Sequence, residues 1–318
     1  MLISKASIWA SAARWAHRSA ALISLEFIIN TLSLGSLYAM LALGLVIIYG
    51  ILRLVNFAYG ELIMIGGYTL YLLTGFSPLP WLVVAVIAVL VAMFTSLFTE
   101  LVAFRPVREK SLTAMLITSF AVSMLLQNAA LLIISPRARA VTLPVIFQTS
   151  VMIAGTSVPW RNILTILTCV VTLTLLTLLL RRTVLGISLR AAADNFTMTR
   201  MLGVPANTVI SSAFAISGIM AGIVSIFWIG RSASVTPTIG APPLLVAFVA
   251  TVIGGMRSLT GAVVGGFAYA IIISLLGIFL PPELLQFRDA FMFVIVIIIL
   301  LFRPEGLIRS KTSVERVG

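Results

Sequence analysis

The stretch NTLSLGSLYAMLALGLVIIYGILRLVNFAYGELIMIGGYTLYLL, residues 30–73, decides the fold class of this chain. Its first part, residues 31–52, is an apolar run of about the length that a helix needs to cross a bilayer. A second apolar run follows, and it carries glycines spaced so that another helix can approach its backbone closely. The elbow between the two runs is polar and contains Arg53, Asn56, Tyr59 and Glu61. We expect two membrane spans joined by this elbow, which is the first candidate functional region because a carboxylate at the mouth of a span needs a partner or water.

The bulk composition indicates a membrane protein throughout. Of 318 residues, 61% are hydrophobic and 9% are charged, whereas a soluble globular chain carries about 25% charged residues. The net charge of +12 is spread over the loops between apolar runs, which favours control of membrane topology over nucleic-acid binding. The single cysteine, Cys169, and the single histidine, His17, exclude an internal disulfide and a metal site built from His and Cys. We therefore expect an all-α, polytopic integral membrane protein without a metal.

Seven further apolar segments follow residue 73, at about 81–104, 112–134, 162–180, 208–229, 244–255, 259–280 and 290–302. The segment 244–255 is short for a full crossing and could be re-entrant or broken. We expect eight or nine transmembrane or re-entrant helices in total. The proline-containing residues 135–160 are predicted to be the longest non-helical connection.

The basic residues predict the orientation of the spans. Placing the charged loop after residue 104 in the cytoplasm gives that side most of the cations: Arg53, Arg105, Arg108, Lys110, Arg181, Arg182, Arg190, Arg200, Arg257, Arg303, Arg309, Lys311 and Arg316. The outer side then receives Arg137, Arg139, Arg161, Arg231, Arg288 and the N-terminal residues 1–24, which we expect to form an amphipathic arm on the membrane.

Residues 183–205 break the pattern of spans because they are too polar to cross a bilayer. They are helix-permissive in the middle, and Gly203 and Pro205 close them. Leu189, Ala193 and Phe196 fall on one face at helical spacing, so we predict a short cytoplasmic surface helix with a protruding aromatic side chain. Such a helix could dock a soluble motor, or it could lie on the lipid headgroups.

Two interrupted stretches, residues 56–67 and 253–266, resemble the broken helices that frame transporter sites, although their glycines could equally serve helix packing. Glu61 could line a pathway or pair with Arg53 at the helix start. Gln127 and Asn128 could line a polar route or bridge helices by hydrogen bonds.

The absence of several motifs limits the possible functions. The chain contains no Gly-Lys dipeptide and hence no phosphate-binding P-loop. Its two aspartates, Asp194 and Asp289, fall in predicted loops or helix ends. A carrier driven by protons or sodium usually has ionisable residues deep in its spans, so an external energy source is favoured. No catalytic dyad or His-Glu-x-x-His motif is present, which disfavours an intramembrane enzyme.

Several motifs in collinear order resemble the branched-chain amino acid ABC-transporter permeases, of the H-type subunit. They are LGSLYA at 34–39, VNFAYGE at 55–61, AFRPVR at 103–108, LQN at 126–128, RAAAD at 190–194, VIGGM at 252–256 and RPEG at 303–306. The resemblance covers about residues 25–308. Tyr59 departs from the pattern, since the family commonly has histidine there, and this puts in doubt a role for that side chain and the identity of the substrate.

The resemblance implies a permease with broken helices that pairs with a second related permease. It also implies two ABC ATPase subunits at the cytoplasmic face, which bind the ATP, and a periplasmic or lipid-anchored solute-binding protein. No cofactor is expected in this chain. Residues 183–205 would be the ATPase-coupling segment, with Phe196 as its knob and further contacts from Arg190, Asp194, Arg200 and Gly203.

We therefore expect a non-enzymatic permease subunit of an ATP-driven importer in the inner membrane, most consistent with branched-chain or other hydrophobic amino acids. The alternatives are a urea or short-chain amide ABC permease and an ATP-independent channel for a small polar solute. The expected domains are the arm 1–24, the permease domain 25–308 and a cytoplasmic tail 309–318. The predicted pathway residues are Asn56, Tyr59, Gly60, Glu61, Gln127, Asn128, Gly254 and Gly255.

Overall fold

The structure, a computed structural model, describes residues 25–76, 79–108, 110–153, 155–256, 258–304 and 306–308. Its α-helices are α1 Leu25–Leu52, α2 Tyr59–Phe76, α3 Trp81–Thr99, α4 Leu112–Ile133, α5 Val145–Gln148, α6 Trp160–Arg182, α7 Val184–Asp194, α8 Phe196–Met201, α9 Ala206–Ser232, α10 Ala241–Gly254, α11 Leu259–Phe279 and α12 Arg288–Phe302. A π-helical turn, Glu100–Phe104, extends α3, and a 3₁₀ turn, Pro282–Phe287, precedes α12. The predicted arm 1–24 and tail 309–318 lie outside the described residues.

Seven helical segments among the described residues are long and apolar enough to cross a membrane. They are α1, α3 with its π turn, α4, α6, α9, α11 and the continuous segment Pro282–Phe302. The other two predicted segments form shorter or more polar helices, because α2 carries Glu61 in its first turn and α10 has only 14 residues. The predicted all-α membrane fold is thereby confirmed.

Helix α1 lies at the centre of the bundle and packs against α6, α9, α10 and α11. In its most apolar 18-residue window 78% of the residues are buried, whereas the figure is 11% for α4 and for Pro282–Phe302, which are therefore peripheral. Small residues allow the central helices to touch: the backbone of Gly266 in α11 lies against that of Ala39, and Gly218 and Gly222 of α9 lie against the backbone of α3. Close backbone approach of this kind is typical of helix association in membranes.

The end of the bundle that the basic residues predict to be outside, called the outer end below, carries two short antiparallel β pairs. Strand β1, Arg139–Ala140, pairs with β4, Ser234–Val235. Strands β2, Ser150–Ile153, and β3, Thr156–Pro159, form a hairpin. The connection 135–160 is therefore more ordered than predicted, since it contains the hairpin and the short helix α5.

The opposite end is the one that the basic residues predict to be cytoplasmic. The predicted single helix at 183–205 is wrong: two helices, α7 and α8, are separated at Asn195, which is extended and accepts a hydrogen bond from the Met198 amide as the N-cap of α8. At the same end, residues 306–308 return to the end of α10, where the amides of Leu307 and Ile308 donate to the carbonyls of Ile253 and Gly254. These bonds satisfy acceptors that a helix end leaves free.

Candidate functional site

The first turns of α2 and α10 cross inside the bundle at Gly60 and Gly240. A Cβ atom on either glycine would collide with the backbone of the other residue, so the crossing requires glycine on both helices. From this point α2 runs to the outer end, where Gly67 meets Val235, and α10 runs the other way to Gly254. Helix α2 begins in the interior, where the positive end of its dipole lies, whereas α10 follows the buried Gly240 with exposed Ala241 and Pro242. Interrupted helices that meet in this way frame binding sites in many transporters.

The polar residues of the elbow hold the start of α2 in place. The Oδ1 atom of Asn56 accepts a hydrogen bond from the amide of Ala58, and its carbonyl accepts one from the amide of Tyr59. The ring of Tyr59 is fully buried against Gly44 in the middle of α1. Because Tyr59 fills a space that a side chain at residue 44 would occupy, the elbow re-enters the bundle and does not remain at the surface.

Glu61 is buried and does not pair with Arg53, which was one of the two roles that the sequence left open. Its side chain is 4% exposed, and its Oε1 atom accepts a hydrogen bond from Ser123 on α4 at 3.0 Å. Its Oε2 atom is buried and has no hydrogen-bond partner among the described residues. Glu61 therefore joins two helices through one oxygen and keeps the other free.

Arg53 instead connects the elbow to α7. It has a positive φ of 56°, and its Nη2 atom donates to the carbonyl oxygen of Ala193 at 2.6 Å. Gly50, at the end of α1, also lies next to the Ala193 side chain. The elbow and the predicted coupling segment are thus in direct contact.

The predicted pathway residues do not all come together. Gly254 and Gly255 lie at the far end of α10 from the Gly60–Gly240 crossing. Gly254 packs against Gly261, and Gly255 has a φ of 108°. These two glycines shape the corner between α10 and α11, so the structure favours their packing role.

Gln127 and Asn128 lie on α4, one turn beyond Ser123. The Asn128 side chain is exposed and donates to the carbonyl of Met124 in its own helix, so the predicted bridge to another helix is not formed by Asn128. Gln127 is half-buried. Sequence reasoning missed Ser123 and Gly240, although Pro242 and Pro243 mark a helix start directly after Gly240.

The coupling segment, residues 183–205 with α7 and α8, packs on the ends of α1, α6 and α9. Leu189 and Ala192 are buried in the core, and Arg190, Asp194 and Arg200 are exposed. The prediction that Phe196 protrudes is wrong, because it is half-buried and packs against the core. The side chains that do protrude are those of Val184, Ile187, Met198, Met201 and Leu202. Gly203 ends the segment with a φ of 86°.

A buried polar cluster next to the coupling segment was not predicted from the sequence. Glu100, in the π turn, is 2% exposed; its Oε2 atom accepts a hydrogen bond from Ser211 at 2.8 Å, and its Oε1 atom lies 4.0 Å from Arg108. Arg108 also donates to Asn207 at the start of α9. Arg108, Phe196 and Asn207 line an open cavity of about 750 Å³. The end of α3 is thereby bonded to the beginning of α9.

Among the described residues, no group of three or more His, Cys, Asp or Glu side chains is arranged to hold a metal ion. The described residues of the site offer a helix start and hydrogen-bonding side chains. A multi-pass helical bundle with two interrupted helices meeting in its core belongs to the class of membrane transport proteins.

The chain belongs to the family described as "Branched-chain amino acid transport system / permease component", whose sequence profile matches residues 27–301. It is 32% identical to the high-affinity branched-chain amino acid transport system permease protein BraD of Pseudomonas aeruginosa, over 92% of this chain and 98% of that protein. It is 31% identical to LivH of Escherichia coli, a protein with the same description, over 92% of this chain and 97% of that protein. A probable LivH of Methanocaldococcus jannaschii is 28% identical over 86% of this chain. The chain is thus a transport subunit, and its family works together with partner subunits.

Proposed function

We propose that this chain is the permease subunit of an ATP-driven importer for branched-chain amino acids in the cytoplasmic membrane. One observation carries the proposal: the family match extends over nearly the whole bundle, and relatives named for this transport cover 92% of the chain. The seven candidate spans support a multi-pass location in the membrane.

The proposed assembly contains a second related permease, two ABC ATPase subunits and a periplasmic or lipid-anchored solute-binding protein. The chain has no P-loop of its own, so ATP binds to the ATPase subunits and the permease needs no cofactor. The exposed apolar side chains of the coupling segment support a protein contact at this surface, since Met201 and Leu202 are 76% and 82% exposed.

Movement of the coupling segment would reach the interior through two contacts. The first is the hydrogen bond from Arg53 to the carbonyl of Ala193, which ties α7 to the elbow. The second is the crossing of Gly60 and Gly240, where the elbow meets α10. We place the transport pathway beside this crossing, lined by Asn56, Tyr59, Gly60 and Glu61. ATP binding would then shift the two interrupted helices by biasing one of two bundle arrangements.

The test is reconstitution of the chain in vesicles with its partner permease, ATPases and binding protein. We expect uptake of labelled leucine that requires ATP. Urea uptake with the same ATP requirement would keep the importer and refute the amino-acid substrate. Uptake that is indifferent to ATP would refute the importer in favour of a channel.

A further inference from the structure

The outer end of the bundle holds a cavity of about 660 Å³ that the proposed coupling mechanism does not use. It lies between the beginning of α1, the connection that contains α5 and the β2–β3 hairpin, the first turn of α6 and the end of α9. We call it the outer cavity and define it by Glu26, Val141, Leu143, Phe147, Arg161 and Arg231. A volume of this size accommodates a small ligand together with water.

Two arginines face the outer cavity, and neither forms an ion pair with Glu26, which borders the same cavity. The Nη2 atom of Arg231 donates to the hydroxyl of Ser33 at 2.8 Å, and this hydroxyl donates to Oδ1 of Asn162 at 3.3 Å. The Nε atom of Arg161 is buried and has no hydrogen-bond partner among the described residues. The one ion pair within 4.0 Å in the described part of the chain joins Arg108 to Glu100, so no described carboxylate lies that close to Arg161 or Arg231.

Each arginine has a partly buried charge with no carboxylate within 4.0 Å among the described residues. Both arginines are half-buried and line the same cavity, so water screens their like charges only in part. Guanidinium groups bind carboxylates through short, often paired hydrogen bonds, and these are stronger where water is partly excluded. A carboxylate in the outer cavity would offset the charges of both guanidinium groups.

The rest of the lining is mixed. Polar groups come from Gln148, Thr149, Ser150 and Ser157, and the apolar part suits an aliphatic side chain. Val141, Leu143 and Phe147 form an apolar wall, and Phe147 is held rigidly by ring contacts with Trp81 and Phe227. Glu26 supplies an exposed carboxylate at the rim, which can accept an ammonium group. Cationic, apolar and anionic groups therefore border one cavity.

We propose that the outer cavity is a binding site of the permease for a free aliphatic α-amino acid, with the substrate carboxylate held by Arg161 and Arg231. The site accepts the substrate after its release from the binding protein. This proposal rests on the proposed function, because the transported solute must carry a carboxylate. Uncharged solutes such as urea lack the charge-assisted contact that a carboxylate makes with the arginines, so the site also favours one cargo class over the other.

The test is equilibrium binding of labelled leucine to the complete permease–ATPase complex in phosphatidylcholine nanodiscs, without the binding protein. We expect saturable binding of labelled leucine that is displaced by unlabelled leucine. Leucinamide, which lacks the carboxylate, should not displace it.

Arg161→Gln should weaken leucine binding by about tenfold or more, since it removes a charge-assisted contact. Arg231→Lys keeps the charge and loses the paired geometry, so it should weaken binding less than Arg231→Gln. Arg137→Gln, an exposed arginine at the same end and outside the cavity, is the matched control and should bind leucine like the unmodified complex.

The outcomes separate this site from the proposed function. Leucine import that persists with Arg161→Gln, together with unchanged leucine binding, overturns the site and leaves the importer intact. A variant that binds leucine normally but needs more binding protein to stimulate the ATPase assigns the arginines to protein docking, which also overturns the site. Import of urea but not of leucine by the unmodified complex refutes the proposed function instead.

Discussion

The guanidinium of Arg53 donates a hydrogen bond to the main-chain carbonyl of Ala193 at 2.6 Å, joining the elbow after α1 to the second-last residue of α7. The two residues are 140 positions apart in the chain. Because the acceptor is a main-chain atom, any movement of α7 as a unit acts directly on this bond. The contact is the shortest described link between the coupling segment and the elbow that leads to the Gly60–Gly240 crossing.

Replacing Arg53 with Gln should uncouple ATP hydrolysis from uptake. The shorter neutral side chain loses a charge-assisted bond, while the exposed position makes the effect on stability small. We expect leucine uptake per ATP hydrolysed to fall several-fold in reconstituted vesicles. Arg182→Gln, an exposed arginine at the end of α6, is the control, and an equal loss in both variants would argue against a specific role of the Arg53 bond.

The exposed side chain of Met201 should carry part of the contact with an ATPase subunit. An aspartate there would place a charge in an apolar interface, where an unpaired charge is costly. We expect Met201→Asp to abolish co-purification of the ATPases and ATP-dependent uptake while membrane levels stay normal, and Met201→Leu to preserve both. Normal uptake by Met201→Asp would show that this surface faces lipid headgroups.

The crossing of α2 and α10 should not tolerate a methyl group. Gly60→Ala would push a Cβ into the Gly240 carbonyl, and overpacking of this kind costs about 1–3 kcal/mol. We expect a clearly lower thermal midpoint of the purified complex in detergent. Gly75→Ala is the matched control in the same helix, because no atom lies within 4 Å of a Cβ built there. Equal midpoints in the two variants would contradict the crossing.

Glu61 should affect transport more than stability. Glu61→Gln can still accept the hydrogen bond of Ser123, but it lacks the negative charge that a passing ammonium group would meet. We expect uptake to fall by about tenfold, equivalent to about 1.4 kcal/mol, with an unchanged thermal midpoint. Ser123→Ala tests the bridging role separately, and a loss of stability without a loss of uptake in both variants would reduce Glu61 to a structural residue.

The Tyr59 hydroxyl should be dispensable. It is buried and has no hydrogen-bond partner among the described residues, and an unsatisfied polar group of this kind is destabilising. We expect Tyr59→Phe to raise the free energy of unfolding by about 1 kcal/mol and to leave uptake unchanged. Loss of uptake in Tyr59→Phe would mean that the hydroxyl contacts the substrate during transport.

The span boundaries could be predicted because charge and proline mark them locally. Arg181 and Arg182 end α6, and Arg105 follows the π turn of α3, as the hydropathy pattern indicates. Gly203 and Pro205 likewise marked the end of the coupling segment. The break at Asn195 also had a local signal, since Asn is a preferred N-cap, but the run of helix-forming residues before it suggested one continuous helix.

The contacts of the elbow could not be predicted because they depend on residues far away in the chain. Whether Glu61 meets Arg53 or Ser123 is decided by the place of α4, and the depth of Tyr59 is decided by the absence of a side chain at Gly44. The inward position of Phe196 follows from the cavity between α8 and α9. Helical periodicity predicts which residues share one face of a helix. Tertiary packing determines what that face contacts.

The hydrogen bonds from Leu307 and Ile308 to the end of α10 have a consequence for the order of biosynthesis. Helix α10 leaves the ribosome before α11 and α12, yet two of its terminal carbonyls obtain their partners only when the residues after α12 have been made. The corner at Gly254 is therefore completed last, after every described span has been synthesised. A nascent chain that stops before residue 306 would present the translocon and quality-control proteases with an unfinished helix end in the part of the bundle nearest the coupling segment.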